Sequence, residues 1–347
     1  MKVGYLLDTH AGPYDGPVPD RETVARSMEA FLEEGRIADE VGFDSIQVPE
    51  RHMRTETHFP PPLQLLTALA PITKQAKLAT HTLVLTLYHP MQVAEQVAVL
   101  DNLTRGRVIL TVAMGYHDDY WRMFGMTRKD RRDRFIESVE ILKLAFGDEA
   151  FDYHGEHFQL EDVQLLPRSY QPGGPELWMG GHFDPAIERA GRMGDAWCGD
   201  PFPILQDIWW PRIKMYREAA EQSGRPSKVV ILRDAWVAET REKAFADLGD
   251  FFVQEHRFYY RWGIFPPSDE FPTESSITAE SLAPHQVVGS PDDCIEQLVR
   301  YHEEFDVDYC CVRMRTPTGP SFEAARESIR QFGEEVIPAV EAATGER

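Results

Sequence analysis

Glu50-Arg51-His52 sets a carboxylate, a permanent cation and an imidazole side by side, a combination that can hold, give or take a proton. The tripeptide follows Gly42-Phe43-Asp44-Ser45-Ile46-Gln47-Val48-Pro49. Phe43, Ile46 and Val48 supply a strand-favouring apolar run, and Pro49, which lacks a backbone donor, ends the ladder. The three ionisable groups therefore stand where a strand leaves the core. In parallel α/β folds that is where ligands bind. Taken alone, the segment fits a solvated loop equally well.

Other segments carry comparable chemistry. In Leu177-Trp178-Met179-Gly180-Gly181-His182-Phe183-Asp184-Pro185-Ala186 a strand runs into two glycines, then into an Asp expected to N-cap a helix whose first residue is Pro185. Close backbone approach and free N–H groups at a helix start make an anion or phosphate site, although an ordinary Gly-Gly turn has the same sequence. Ala113-Met114-Gly115-Tyr116 ends another strand; Gly115 either admits a flat ligand or simply terminates the strand. Arg128-Lys129-Asp130-Arg131-Arg132-Asp133-Arg134, with Glu137, opens a helix, and one of its arginines could reach a phosphate while the others form a solvated face. His10, His52, His81, His89 and His182 fall at or near expected strand ends or loops. They lack the H-E-x-x-H or H-x-H spacing that would support a metal-dependent hydrolase. The run Phe258-Tyr259-Tyr260-Arg261-Trp262-Gly263-Ile264-Phe265 is a pocket wall, a lid, or a packing or dimer surface. No G-x-S-x-G, P-loop or dinucleotide fingerprint is present.

The elements that position these groups alternate from end to end. Strands are expected at 2–7, 43–48, within 76–87, and at 107–113, 175–179, 195–198, 229–237 and 309–314. Helices are expected at 21–41, 62–73, 90–103, 130–146, 185–193, 205–222, 241–256, 292–305 and 322–340. Asp20 serves as N-cap of the first helix and Gly42 as its stop, and Pro90 opens the third in its first turn. A hairpin insertion is expected at 153–166, with Gly155 in the turn. Strict β/α alternation argues for a parallel sheet covered by helices. Eight strands favour a (β/α)8 TIM barrel over an open doubly wound sheet. The chain reads as a single domain, 1–347, with insertion segments near 115–129, 150–172 and 258–286 at the strand C-terminal face.

Composition narrows the partners. A net charge of −21 without an offsetting basic cluster repels phosphate backbones, so no nucleic acid is expected. No apolar run approaches the roughly 18 residues that span a membrane. The N-terminus opens on a strand-like segment rather than a signal peptide, so a cytoplasmic protein is expected. Cys198, Cys294, Cys310 and Cys311 form no C-x-x-C pair and read as buried free thiols.

Five blocks in order resemble the bacterial luciferase-like family of flavin-dependent oxidoreductases. They are VGFDSIQVPERH; LYHPMQVAEQVAVLDNLTRGRVILTVAMGY; Phe151-Asp152-Tyr153-His154-Gly155-Glu156-His157-Phe158; ELWMGGHFDPAIERAGRMGDAW; and VVGSPDDCIEQLVRYHEEFDVDYCCVR with the terminal FGEEVIP. The resemblance implies a TIM barrel with reduced flavin at the strand C-termini. By position, His52 falls on the second member of the family's active-site His pair, and Arg51 replaces the first. Gly180, Gly181 and His182 fall on the flavin-phosphate segment, where some members have Ser in place of His182. Arg131, Arg132 and Arg134 cover a phosphate-binding arginine, and Gly115 and Tyr116 fall near the isoalloxazine side. The implied activity is a monooxygenase that uses reduced FMN and O2, activated at the flavin C4a, on an apolar organic substrate. A separate flavin reductase supplies the reduced flavin. His52, oriented by Glu50, is the expected acid/base or hydrogen-bond donor, and Arg51 could instead stabilise negative charge on the oxygenated flavin or the substrate. A coenzyme F420-dependent dehydrogenase and a non-catalytic flavin-binding protein are the alternatives. Family members commonly form dimers, so a homodimer is expected.

Overall fold

Along the first strand, β1 (Lys2–Leu6), Val3 and Tyr5 join the main core and the next residue, Leu6, a separate cluster inside the sheet, the period of two that a closed sheet requires. The structure is a computed structural model that describes residues 1–14, 16–56, 59–199, 204–248, 250–265 and 267–345, with Gln206 described by its backbone only. After β1 come α1 (Arg21–Glu40), β2 (Ser45–Val48), α2 (Pro62–Leu69), β3 (Lys77–Thr80), the two-residue β4 (Leu83–Val84), α3 (Pro90–Thr104) and β5 (Val108–Ala113). Next are α4 (Asp118–Met123), α5 (Arg131–Ala145), a hairpin of β6 (Phe151–His154) and β7 (Gln159–Val163), then β8 (Glu176–Gly180), α6 (Asp184–Met193) and β9 (Ala196–Cys198). The chain continues through α7 (Gln206–Gln222), β10 (Lys228–Val237), α8 (Arg241–Leu248), α9 (Phe251–Arg261), α10 (Ala279–Leu282), β11 (Val287–Gly289), α11 (Pro291–Phe305), β12 (Tyr309–Arg313), α12 (Phe322–Gln331) and α13 (Ile337–Ala343).

Among the described residues, eight parallel strands run β1–β2–β3–β5–β8–β9–β10–β12 and return to β1. Closure rests on β10, whose Lys228–Val230 pair with Ala196–Cys198 on one side while Val230–Asp234 pair with Tyr309–Arg313 on the other. The fold is thus the expected TIM barrel. Its interior is filled by Ala79, Ile109, Trp178, Ala196, Cys198, Val230 and Tyr309, with Leu6, Leu232 and Cys311 above them. Such filling leaves only the strand C-termini open to a ligand. All four cysteines are buried and free, as expected, and burial pushes the Cys310 thiol up to about 12.

Several boundaries differ from the sequence reading. The region expected to hold one helix over 241–256 holds two, so Phe258–Arg261 close α9 instead of lying in a loop. The break follows the Gly249-Asp250 dipeptide, a turn signal; Gly249 itself lies outside the described residues. Asp184 is not the N-cap of its helix: Phe183 is, without a capping side chain, and Asp184 is the first helical residue. Elements α4 and β11 had no expected counterpart, because six and three residues are too few for periodicity to show. The expected caps at Asp20, which accepts from the Thr23 N–H at 2.7 Å, and at Pro90 are present.

Candidate active site

Beyond Val48 the chain turns across the barrel mouth and buries Glu50, Arg51 and His52 together, which removes the solvated-loop reading. The Glu50 side chain is immobilised: it accepts from the Val84 N–H (2.6 Å), the Tyr88 hydroxyl (2.6 Å) and His52 Nε2 (2.7 Å). Facing an acceptor, His52 Nε2 carries the hydrogen, and Nδ1 holds the lone pair that can take a proton. Burial and then the Glu50 charge push the Tyr88 phenol well up, so that hydroxyl remains a donor. Edge-on contacts with Tyr120 and Phe124, at 5.4 and 5.2 Å between ring centroids, fix the His52 ring plane.

A second buried chain of groups crosses from β1 to β12. Arg51 Nη1 lies 2.9 Å from His10 Nε2. A guanidinium can only donate, so His10 Nε2 accepts and its Nδ1–H turns to Asp8, which it touches closely. Burial pushes the His10 imidazole below its ordinary value, against the pull of Asp8, and the nearby Arg51 adds to the lowering. Asp8 also pairs with Arg315, whose Nε donates to the Pro320 carbonyl at 2.6 Å. Arg313 bridges Asp234 (Nε at 2.7 Å) and Glu255 (2.5 Å). His81, whose Nδ1 is 2.6 Å from Gln47 Oε1, is pushed down to about 4 by burial, then by Arg51 and Arg313. Arg313 and Arg315 each pair with carboxylates, whereas the described partner of Arg51 is the neutral His10 ring.

Aromatic side chains wall this polar floor. Arg54, paired with Glu56, lies under the rings of Phe258 (4.7 Å), Trp262 (4.8 Å) and Tyr259 (5.7 Å), and its Nη1 reaches the Tyr116 hydroxyl at 3.3 Å. Tyr14 stacks on Phe258 and His117 on Trp262. The segment after α8 therefore builds a small core of its own around Phe258, Tyr259, Phe265 and Phe271, joined to the mouth through Tyr14 and Tyr116. Burial and then Tyr120 push the Tyr116 phenol up to about 12. Gly115 has φ +83°, and a Cβ there would stand 2.7 Å from Val84 Cγ1, so no side chain fits between β5 and the site.

The remaining expected groups separate. Gly180 ends β8, and Gly181 lies so close under α6 that a Cβ would meet the Ala186 Cβ at 2.6 Å. His182 packs against Phe183 at 4.2 Å between rings. Of the three arginines, Arg134 is committed to the carbonyls of Thr86 (3.0 Å) and Tyr88 (3.3 Å), and Arg132 is exposed beside Asp133. Arg131 lies over Trp121 with its Nη1 buried and without a hydrogen-bond partner. Glu137 is structural: its carboxylate accepts the N–H groups of Glu156 (2.8 Å), His157 (2.9 Å) and Phe158 (3.1 Å) and pins the hairpin turn. Among the described residues no group of three His, Cys, Asp or Glu is placed to hold a metal ion. Asp8, Asp234, Glu255, Arg313 and Arg315 were missed in the sequence. For Arg313 and Arg315 the signal is charge at alternate positions of a buried strand end, Arg313-Met314-Arg315, whereas Asp234 lies within β10 and Glu255 within α9, where no such pattern marks them.

The donor set fits a flavin. Arg131 Nη1, buried over Trp121, has no hydrogen-bond partner among the described residues and is left to donate to an anionic group, while Arg54, paired with Glu56, keeps a cation against the aromatic wall. Residues 1–306 match the profile of the luciferase-like monooxygenase family. The oxygenase component of flavin-dependent trigonelline monooxygenase from Acinetobacter baylyi is 25% identical over 338 residues, covering 93% of this chain and 92% of that protein. The F420-dependent glucose-6-phosphate dehydrogenase of Amycolatopsis mediterranei is 26% identical over 361 residues, covering 99% of each. The crystal structure of the monooxygenase RslO1 from Streptomyces bottropensis superposes with a TM-score of 0.84 at 22% identity, covering 97% of this chain and 99% of that one. With the profile spanning β1 to α11, the chain belongs to the luciferase-like monooxygenase family.

Proposed function

We propose that this protein is the oxygenase of a two-component monooxygenase that takes reduced FMN from a separate reductase and oxygenates an apolar, aromatic-sized organic substrate. The observation that carries the reading is the buried His52–Glu50 pair set against an aromatic wall at the barrel mouth. Support for a separate reductase comes from the relative whose name specifies an oxygenase component. Bound reduced FMN would supply two electrons to dioxygen, one oxygen atom entering the substrate and the other leaving as water. The residues have distinct tasks. Glu50, locked by three donors, keeps His52 in the Nε2–H tautomer, and His52 Nδ1 exchanges the proton that oxygen chemistry requires. Arg51, aimed by a neutral His10, meets negative charge that develops at the ring or on the substrate. Tyr116, Phe258, Tyr259 and Trp262 exclude water. Gly115 and Tyr116 border the flavin ring, and Gly180, Gly181 and His182 lie at its phosphate end. The working form is a cytoplasmic homodimer.

Anaerobic titration with reduced FMN and with reduced F420, followed by rapid mixing with oxygen, tests the assignment. Preference for reduced FMN and a slowly decaying near-ultraviolet absorbance after oxygen are expected. Preference for F420 with no oxygen-dependent phase would make the protein a hydride-transferring dehydrogenase, like its relative from Amycolatopsis. Tight flavin binding with no turnover on any substrate would leave a carrier protein.

A further inference from the structure

Arg189, in the second turn of α6, is 6% exposed, yet its guanidinium meets no carboxylate among the described residues. Its described contacts are the Met114 thioether, 3.8 Å from Nη1, and the Phe135 ring at 5.9 Å. Neither compensates a desolvated cation. Burial lowers the affinity of Arg189 for its proton, and Arg132 and Arg192 lower it further by like charge. Glu188, which pairs with Arg192 at 2.6 Å, and Asp133 pull the other way, each by less. The group is therefore a largely buried cation beside two like charges, with no carboxylate of its own in contact among the described residues, and it faces a cavity in which an anion would be welcome.

The surroundings give that anion a place. Strands β5 and β8 pair Val112 with Met179, so Met114 and Gly181 stand at the same height, two residues further on. The Arg189 tip at Met114 is thus level with Gly181, over which the first turn of α6 folds. That turn begins without a side-chain cap. A cavity of 460 Å3 opens beside it, lined by Pro185, Glu188, Arg189, Arg192 and Met193 of α6 and by Arg132 and Ile136 of α5.

We propose that Arg189 is the residue that binds the phosphate group of the cofactor, together with the Gly180-Gly181 turn and the start of α6. The assignment deepens the functional reading above and rests on it. It replaces Arg134, whose Nε and Nη2 are held by backbone carbonyls, and the exposed Arg132. The recognised chemistry is a phosphate oxygen, from the monoester of FMN or the diester of F420.

The test compares Arg189→Met and Arg189→Lys with the unaltered protein, using FMN against riboflavin and F420 against its tail-less deazaflavin. The unaltered protein should bind FMN about 10- to 100-fold more tightly than riboflavin, as charge-assisted hydrogen bonds allow. Arg189→Met should erase most of that gap while riboflavin affinity stays constant, and Arg189→Lys should restore part of it. An unchanged gap, or an equal loss for riboflavin, overturns the assignment. A gap confined to the F420 pair keeps Arg189 in its role and removes the oxygenase reading. If neither cofactor binds, thermal unfolding in inorganic phosphate against chloride at equal ionic strength decides. A phosphate-dependent rise in Tm that Arg189→Met abolishes supports the site, and no rise refutes it.

Discussion

At the scale of single residues, the proposed chemistry divides between His52, which would handle protons, and Arg51, which would handle charge. His52 keeps a free ring nitrogen because Glu50 occupies the other one. Removing the imidazole in His52→Ala should lower product formed per reduced flavin by about 100-fold or more, the usual contribution of a positioned acid or base. FMN affinity should change little, because no phosphate contact is lost. Product yield and FMN binding measured on the same preparation check this; unchanged yield would remove His52 from the chemistry. His10 acts one step further away. His10→Ala leaves Arg51 without its described partner and takes one of the two that hold Asp8, the other being Arg315, and should cost about 2–4 kcal/mol of unfolding free energy in urea. His10→Gln, which can both donate and accept, should recover part of that. A loss in His10→Ala below half a kcal/mol would show that the two groups find other partners. Glu50, Arg51 and His52 were legible because they are contiguous after a strand. Asp8, Asp234 and Arg315 were not, because each enters the site through a partner 79 to 307 positions away in sequence.

At the scale of elements, long periodic helices and apolar strands announced themselves, and short or interrupted ones did not. Helix α1 shows what patterning leaves out. Its Glu34 is a polar residue on the face that packs against β1, where the Tyr5 hydroxyl donates to Oε2 at 3.2 Å and Oε1 has no hydrogen-bond partner among the described residues. Burial raises the Glu34 carboxyl from 4.5 to about 7. The folded chain therefore binds this proton more tightly than the unfolded one. The sign follows: the contribution is fully present below about pH 4.5 and is lost as pH rises through about 7. Glu34→Gln, which keeps an acceptor for Tyr5 without the charge, should leave stability nearly unchanged at pH 4.5. At pH 8 it should raise stability by up to about 3 kcal/mol. Urea unfolding of both proteins across that range gives the comparison. A pH-independent difference between them would mean that Glu34 does not titrate in the folded state.

At the scale of the whole molecule, the number of strands was readable but their closure was not. An open and a closed eight-stranded sheet share one pattern of alternation, and only the double pairing of β10 with β9 and β12 tells them apart. The β1–β12 seam is then covered by the C-terminal helices, and two kinds of contact hold them there. Lys2 pairs with Glu341 at 2.7 Å and the Met1 amine touches Thr344, both partly exposed. Such surface pairs contribute about 1 kcal/mol or less. Phe332, Val336, Ile337 and Val340 are instead buried in the main core. At about 1.5–3 kcal/mol for each buried side chain, these four together rival the whole stability of a domain, about 5–15 kcal/mol. The two shortenings should therefore differ in kind. Deleting residues 341–347 should leave a cooperative thermal transition within a few degrees of the full chain. Deleting residues 332–347 should abolish that transition and yield insoluble protein, although not one residue of the mouth is removed. If the shorter chain still unfolds cooperatively and binds flavin, the barrel is closed by its strands alone and the helical cover contributes no more than the ion pairs do.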